Sequence, residues 1–249
     1  MSVELDSLRR KLEGAKNHFE LSKPLDIEVM AGVLKEEGFI TFESIFSPEQ
    51  LVAFANNFGR LILHRDSDEF GVTTITPREV DGNLTSNLGF TNQELMLHTD
   101  GTAVVKPADY LALYCSKPAI DGGASILLDS RKLLGVLAQE YPELLQQLFT
   151  PNSAIFGDPK GEHHIGSIFS KNTDGNITIR FRTDQGGFYT APLATQMVNL
   201  IKIMEDLSFK FDLKEGQGYL VNNHRVLHAR TSFIGTRVMH RVLIDSLQE

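Results

Sequence analysis

Leu95-Met96-Leu97-His98-Thr99-Asp100-Gly101 runs an apolar segment into His-x-Asp and then a glycine. In an extended strand residues two apart point the same way, so the His98 imidazole and the Asp100 carboxylate reach toward one point while Gly101 lets the chain turn sharply. Two adjacent corners of a metal coordination sphere are thereby supplied. His-x-Asp alone is a weak signal, because any polar loop can contain it. A third ligand has to come from elsewhere, and Asn223-His224-Arg225-Val226-Leu227-His228-Ala229-Arg230 offers it after a β-rich run. His228 is preferred to His224 because the apolar pair Val226 and Leu227 puts it at the buried end of a strand. Two imidazoles and a carboxylate on one face suit Fe(II) and leave positions open for a chelating cosubstrate and dioxygen. Zinc is the chemical rival, but the helical spacing His-Glu-x-x-His is absent.

Around this stretch the chain is rich in short β-type runs, VTTIT, DYLALYC, SILLD, ITIRF, GYLVNN and RVMHRVLID, separated by Gly, Pro, Asn and Asp. The pattern predicts a mainly β fold, a barrel or sandwich, with peripheral helices. Helices are expected near Asp26 to Glu37, from Ser47, from Arg131 to Phe149 and from about Ala191 to Leu207. The start at Ser47 is set by an N-cap serine, Pro48 at the first helical position and Gln50 able to cap back. Toward the N-terminus Leu5, Leu8, Leu12, Ala15 and Phe19 recur every three or four residues, which predicts an amphipathic helix over about 4–20. It either packs on the core or meets a partner subunit of a homo-oligomer. No repeat, low-complexity tract or linker divides the chain, so residues 1–249 are read as a single domain.

Composition narrows the function classes. The net charge of -8 leaves no broad positive surface for phosphates or anionic lipid, so neither nucleic acid nor membrane is an expected partner. Cys115 is the single cysteine, which excludes an internal disulfide and a cysteine-based zinc site. No apolar run approaches the ~20 residues of a membrane-spanning helix, and the N-terminal residues lack a secretory apolar stretch. The expectation is a soluble cytoplasmic protein with a small-molecule substrate.

Past His228, Arg237, Met239, Arg241 and Leu243 share one face of a strand. An inward arginine needs an anion, and its planar fork matches a carboxylate. Arg237 is therefore a candidate for the remote carboxylate of a dicarboxylate cosubstrate, and Arg241 for an anionic group of the substrate. The alternative is that both are solvated or paired with nearby Asp or Glu. Two turn-rich segments, 81–94 and 158–166, are expected to cover the site, with Asn87 and Glu94 as further substrate contacts. His163 and His164 are read as solvated loop histidines, or at most as substrate contacts.

The ordered set His98-x-Asp100, Pro118 through Gly122-Gly123-Ala124-Ser125, Asn223 to Arg230, and Arg237-x-x-x-Arg241 resembles the taurine dioxygenase and clavaminate synthase group of oxygenases, from about Phe39 to Asp245. The resemblance implies a double-stranded β-helix, or jelly-roll, with the metal at its mouth. It implies Fe(II) on His98, Asp100 and His228, 2-oxoglutarate held by Ser125 and Arg237, and O2 as the oxidant. The reaction implied is hydroxylation of an unactivated carbon of a small polar or anionic metabolite such as an amino acid derivative, with release of succinate and CO2; desaturation or cyclisation is the variant chemistry. Retention of Asp100 argues against halogenation, since related halogenases have glycine or alanine there. Ser125 replaces the usual threonine, Ala229 a common glycine, and Gly218 a frequent aspartate. The competing functions are a zinc-dependent hydrolase at the same triad and a non-catalytic metabolite-binding jelly-roll.

Overall fold

A computed structural model describes residues 15–24, 26–78, 88–158 and 161–246. The sequence condenses into four layers, helices on each outer side of two facing sheets. The strands of these sheets are β1 (His18–Glu20), β2 (Phe39–Glu43), β3 (Arg60–Ile62), β4 (Thr73–Ile75), β5 (Leu95–His98), β6 (Tyr110–Lys117), β7 (Ser125–Asp129), β8 (Phe209–Phe211), β9 (Gly218–Asn222), β10 (Val226–Arg230) and β11 (Val238–Asp245). The major sheet has seven strands in the order β1-β2-β9-β6-β11-β3, with β4 also on β11, and the minor sheet has four in the order β8-β7-β10-β5. This is the jelly-roll architecture, mainly β with peripheral helices.

Strand alternation builds the layers. On β6, Leu111, Leu113 and Cys115 pack between the sheets with Leu127, Phe211, Val221 and Val226. Their neighbours Ala112 and Tyr114 face outward and meet α1 (Ile27–Glu37) and α2 (Pro48–Ala55) through Met30, Leu34, Leu51 and Phe54. On the minor sheet Leu128 and Leu227 face outward, against α3 (Ser130–Glu140), α4 (Pro142–Leu148) and α5 (Ala191–Leu207). Full burial of one such leucine contributes roughly 1.5–3 kcal/mol. The space between the sheets is thus filled by apolar side chains at one end, and the polar inward residues collect at the other.

Local signals explain the helix ends. The Ser47 side chain accepts from Gln50 N at 3.3 Å and the Gln50 side chain accepts from Phe46 N at 2.7 Å. The interval expected as one helix from Arg131 to Phe149 is two, broken at Tyr141, because the residue before Pro142 is driven out of helical conformation. The helix expected over about 4–20 does not reach its end: His18–Glu20 is a strand pairing in parallel with β2, and the stretch before residue 15 lies outside the described residues. Gly218, at the position where the family resemblance implies a frequent aspartate, sits too tightly for a side chain, since a Cβ would lie 2.3 Å from the Leu113 carbonyl and 2.5 Å from the Phe42 ring.

Candidate active site

The minor sheet sets the first contact. β5 and β10 are antiparallel, and their register places His98 opposite His228, just before an irregularity that ends regular pairing. Such a bulge re-aims side chains, and the two imidazoles lie 4.2 Å apart between centroids. Asp100 then brings Oδ1 to 3.5 Å from His98 Nε2 and 3.6 Å from His228 Nε2. All three donor atoms fall within 4.8 Å of one another, the one such cluster of metal-ligating residues among the described residues. Donors about 2.1 Å from one ion at right angles stand about 3 Å apart, so the residues fit a facial triad after a small inward movement.

The surroundings hold each of the three side chains in the form a metal would require. His98 Nδ1 donates to the Met96 carbonyl at 2.8 Å, which leaves the Nε2 lone pair facing Asp100. Burial, reinforced by His98 beside it, lowers the His228 pKa and favours the neutral imidazole. His228 Nδ1 is buried without a hydrogen-bond partner among the described residues. Burial alone would raise the Asp100 pKa, but the Arg241 guanidinium, with the imidazoles of His228 and His98 beside it, holds the carboxyl well below the usual carboxylate range.

The backbone at Asp100 is fixed from the side. The Asn223 amide accepts from Asp100 N at 2.8 Å and donates to the carbonyls of Asp100 and Ala108, each at 3.0 Å. Thr99 points away from the triad and ties to Phe181, whose N–H donates to Thr99 Oγ1 at 3.3 Å. Gly101 follows at a φ of 68°, the left-handed turn expected of it.

Over the triad opens a cavity of about 490 Å³ lined by both sheets. Ser125 and Arg237 both line it and both are buried. The turn at Gly122 and Gly123, just before Ser125, packs closely: a Cβ on Gly122 would meet the Ser232 carbonyl at 2.3 Å, and one on Gly123 would meet Arg237 Cδ at 3.0 Å. No carboxylate pairs with Arg237 among the described residues; its guanidinium carbon lies 5.9 Å from the centre of the Phe233 ring. Burial lowers its pKa. Arg230, two residues past His228, donates to the Gly89 carbonyl at 3.3 Å and to the Gln93 carbonyl, stapling the segment that carries Leu88 and Phe90 over the cavity.

Other residues singled out from the sequence are placed differently. Arg241 lines the cavity, but its Nη1 already donates to Asp100 Oδ2 at 2.8 Å, so pairing with a nearby acid, the alternative weighed for it, is what the structure contains. Glu94 is exposed and lines a separate small depression with Met96 and Met204 rather than the metal cavity. Asn87 lies outside the described residues. From the second covering segment Asp158 and Glu162 line the cavity, whereas His163 is exposed and His164 faces a different depression beside Arg180. Cavity residues that sequence reading passed over are His64, Arg65, Asp66, Tyr219, Arg182 and Asp184. Dense charge in His64-Arg65-Asp66 and in Arg180-Phe181-Arg182-Thr183-Asp184, inside β-rich sequence, was the available signal.

The family model described as "Taurine catabolism dioxygenase TauD, TfdA family" matches residues 7–243. The chain belongs to this family. Among relatives of the TauD, TfdA chain, the 3-((Z)-2-isocyanoethenyl)-1H-indole synthase of Fischerella ambigua is 24% identical over 253 residues, covering 92% of this chain and 89% of that protein. The uridine-5'-phosphate dioxygenase of a Streptomyces species is 27% identical over 203 residues, covering 75% and 72%. Among solved structures, asparagine oxygenase in complex with Fe(II), 3-hydroxyasparagine and succinate superposes with a TM-score of 0.73 at 14% identity, over 96% of this chain and 83% of that one. This TauD, TfdA member is an Fe(II)- and 2-oxoglutarate-dependent dioxygenase acting on a small molecule, with O2 as cosubstrate. Among the described residues no helix is long and apolar enough to cross a membrane.

Proposed function

We propose that His98, Asp100 and His228 hold the Fe(II), that Ser125 and Arg237 hold the remote carboxylate of 2-oxoglutarate, and that the enzyme hydroxylates an unactivated carbon of a small polar metabolite such as an amino acid derivative. The supporting observation is a buried guanidinium, Arg237, with no acid paired to it among the described residues, in the same cavity as a His-Asp-His cluster. A buried cation without a counter-ion is costly. A carboxylate arriving from solution neutralises it, and each charge-assisted hydrogen bond contributes about 1.5–3 kcal/mol.

Bound Fe(II) with 2-oxoglutarate and O2 supplies the oxidising chemistry, and succinate and CO2 are released. The chain's own residues do the positioning. Arg237 and Ser125 fix one end of the cosubstrate so that its other end meets the triad. Leu88 and Phe90, stapled by Arg230, exclude water from above. Asp158, Glu162 and the Arg182–Asp184 pair, joined at 2.5 and 2.6 Å, give the outer cavity polar groups for a substrate.

Anaerobic loading with Fe(II) and 2-oxoglutarate, followed by air, should yield succinate at a rate raised by the correct substrate from a panel of amino acids and their derivatives. A wild-type protein that binds neither Fe(II) nor 2-oxoglutarate removes the proposal.

A further inference from the structure

We propose that Arg241 is a positioning residue for the metal: it takes one oxygen of Asp100 so that the carboxylate offers only the other to the ion. The inference rests on the triad reading above and gives Arg241 a task other than gripping a substrate anion. Asp100 stands just past β5 of the minor sheet and Arg241 on β11 of the major sheet, so the ion pair bridges the two sheets at the mouth of the fold. Its atoms are divided. Oδ2 accepts from Arg241 Nη1 at 2.8 Å, while Oδ1 faces His98 and His228.

The need for such a partner follows from the side chain. Asn223 fixes the Asp100 backbone, but the terminal torsion of an aspartate is broad and roughly two-fold. A metal ligand free to rotate would present either oxygen, or both at once. Among the described residues Arg241 is the group that holds Oδ2, and it does so with both side chains largely buried, at 15% and 9% exposure, where water does not compete well. Arg237, just before β11, and Arg241 on it both line the cavity, and the structure divides their work. Among the described residues no acid pairs with Arg237, which faces the cavity. Arg241 has one and is occupied, with its Nε buried and unpartnered.

The test is a titration of the purified protein, residues 1–249, with Mn(II), following the electron spin resonance of the free ion, for wild type, Arg241→Lys, Arg241→Gln, Asp100→Ala and the double variant Asp100→Ala/Arg241→Gln. Removal of such a supporting contact typically weakens metal binding by about 10–100-fold. Arg241→Gln should show that loss, Arg241→Lys should recover part of it, and Arg241→Gln should have no further effect once Asp100 is alanine. At saturating Mn(II), 2-oxoglutarate should bind Arg241→Gln as it binds wild type. A merely structural arginine would lower the melting temperature of the metal-free protein and leave the Mn(II) constants alone. Mn(II) affinity within twofold of wild type in both Arg241→Gln and Arg241→Lys overturns the inference. Absence of Mn(II) binding by wild type instead brings down the triad reading on which it stands.

Discussion

Arg225 and Arg237 are buried to nearly the same degree, 8% and 7% exposed, yet one is saturated and the other is not. Arg225 lies just before β10 and donates to Asp129 at 2.8 and 2.6 Å and to the carbonyls of Lys35 and Glu36 at 3.1 and 2.8 Å. It joins the minor sheet to the C-terminal end of α1. Arg237, at the other end of the barrel, meets no acid among the described residues and faces a cavity. Burial alone therefore does not separate an arginine that holds the fold from one left open toward a cavity; what separates them is whether the donors are already spent.

The contrast would break first at Arg225. Removing one member of a buried ion pair strands the other, so Arg225→Ala should cost about 3–5 kcal/mol and lower the melting temperature by roughly 10 °C. The molecules that remain folded should keep wild-type 2-oxoglutarate affinity. Calorimetric melts beside ligand titration check both halves, and unchanged melting would mean that the clamp contributes nothing.

Arg237→Ala should do the reverse, leaving the melt of the ligand-free protein at or above wild type while 2-oxoglutarate affinity falls about 100-fold, as expected for two lost charge-assisted hydrogen bonds partly compensated by water. The stabilisation that saturating 2-oxoglutarate gives wild type, about 2.7 kcal/mol at a hundred times its dissociation constant, should fall to about 0.4 kcal/mol at the same concentration. A ligand-free melt as depressed as that of Arg225→Ala would erase the distinction. Ser125→Ala is the mildest probe. It removes one neutral hydroxyl worth about 1 kcal/mol, so a fivefold weaker 2-oxoglutarate constant from isothermal titration is expected, and no change would exclude Ser125 from the cosubstrate site.

What the sequence revealed depended on how far a determinant lies from its partner. The Ser47 cap needs residues within four positions, and His98 with Asp100 needs only strand parity, so both were legible. β6, β7 and β11 were visible as β-branched and apolar runs, but their assembly into two sheets came from the family resemblance. The partner of Arg241 lies 141 residues away, and nothing local distinguishes an arginine that will meet a ligand carboxylate from one that will meet a substrate. Phe19 misled because its spacing from Ala15 suits a helix, whereas its strand is decided by parallel pairing with Phe42. Glu94 misled because polarity within a covering segment does not say which way the last residue before β5 will turn. Arg182 and Asp184 escaped because their pairing depends on a tight turn closing at Gly186 and Gly187, where a Cβ would strike Arg182 or the Gly157 carbonyl.

The Asn223 amide closes the base of the loop from Gly101 to Pro107 by gripping Asp100 at one end and Ala108 at the other. A loop tied off in this way can be rewritten without dragging the ligand beside it. Thr102, Ala103 and Val104, which look into the cavity from that loop, are consequently the natural positions at which to diversify this enzyme toward new substrates, because the scaffold insulates iron binding from whatever selection does there.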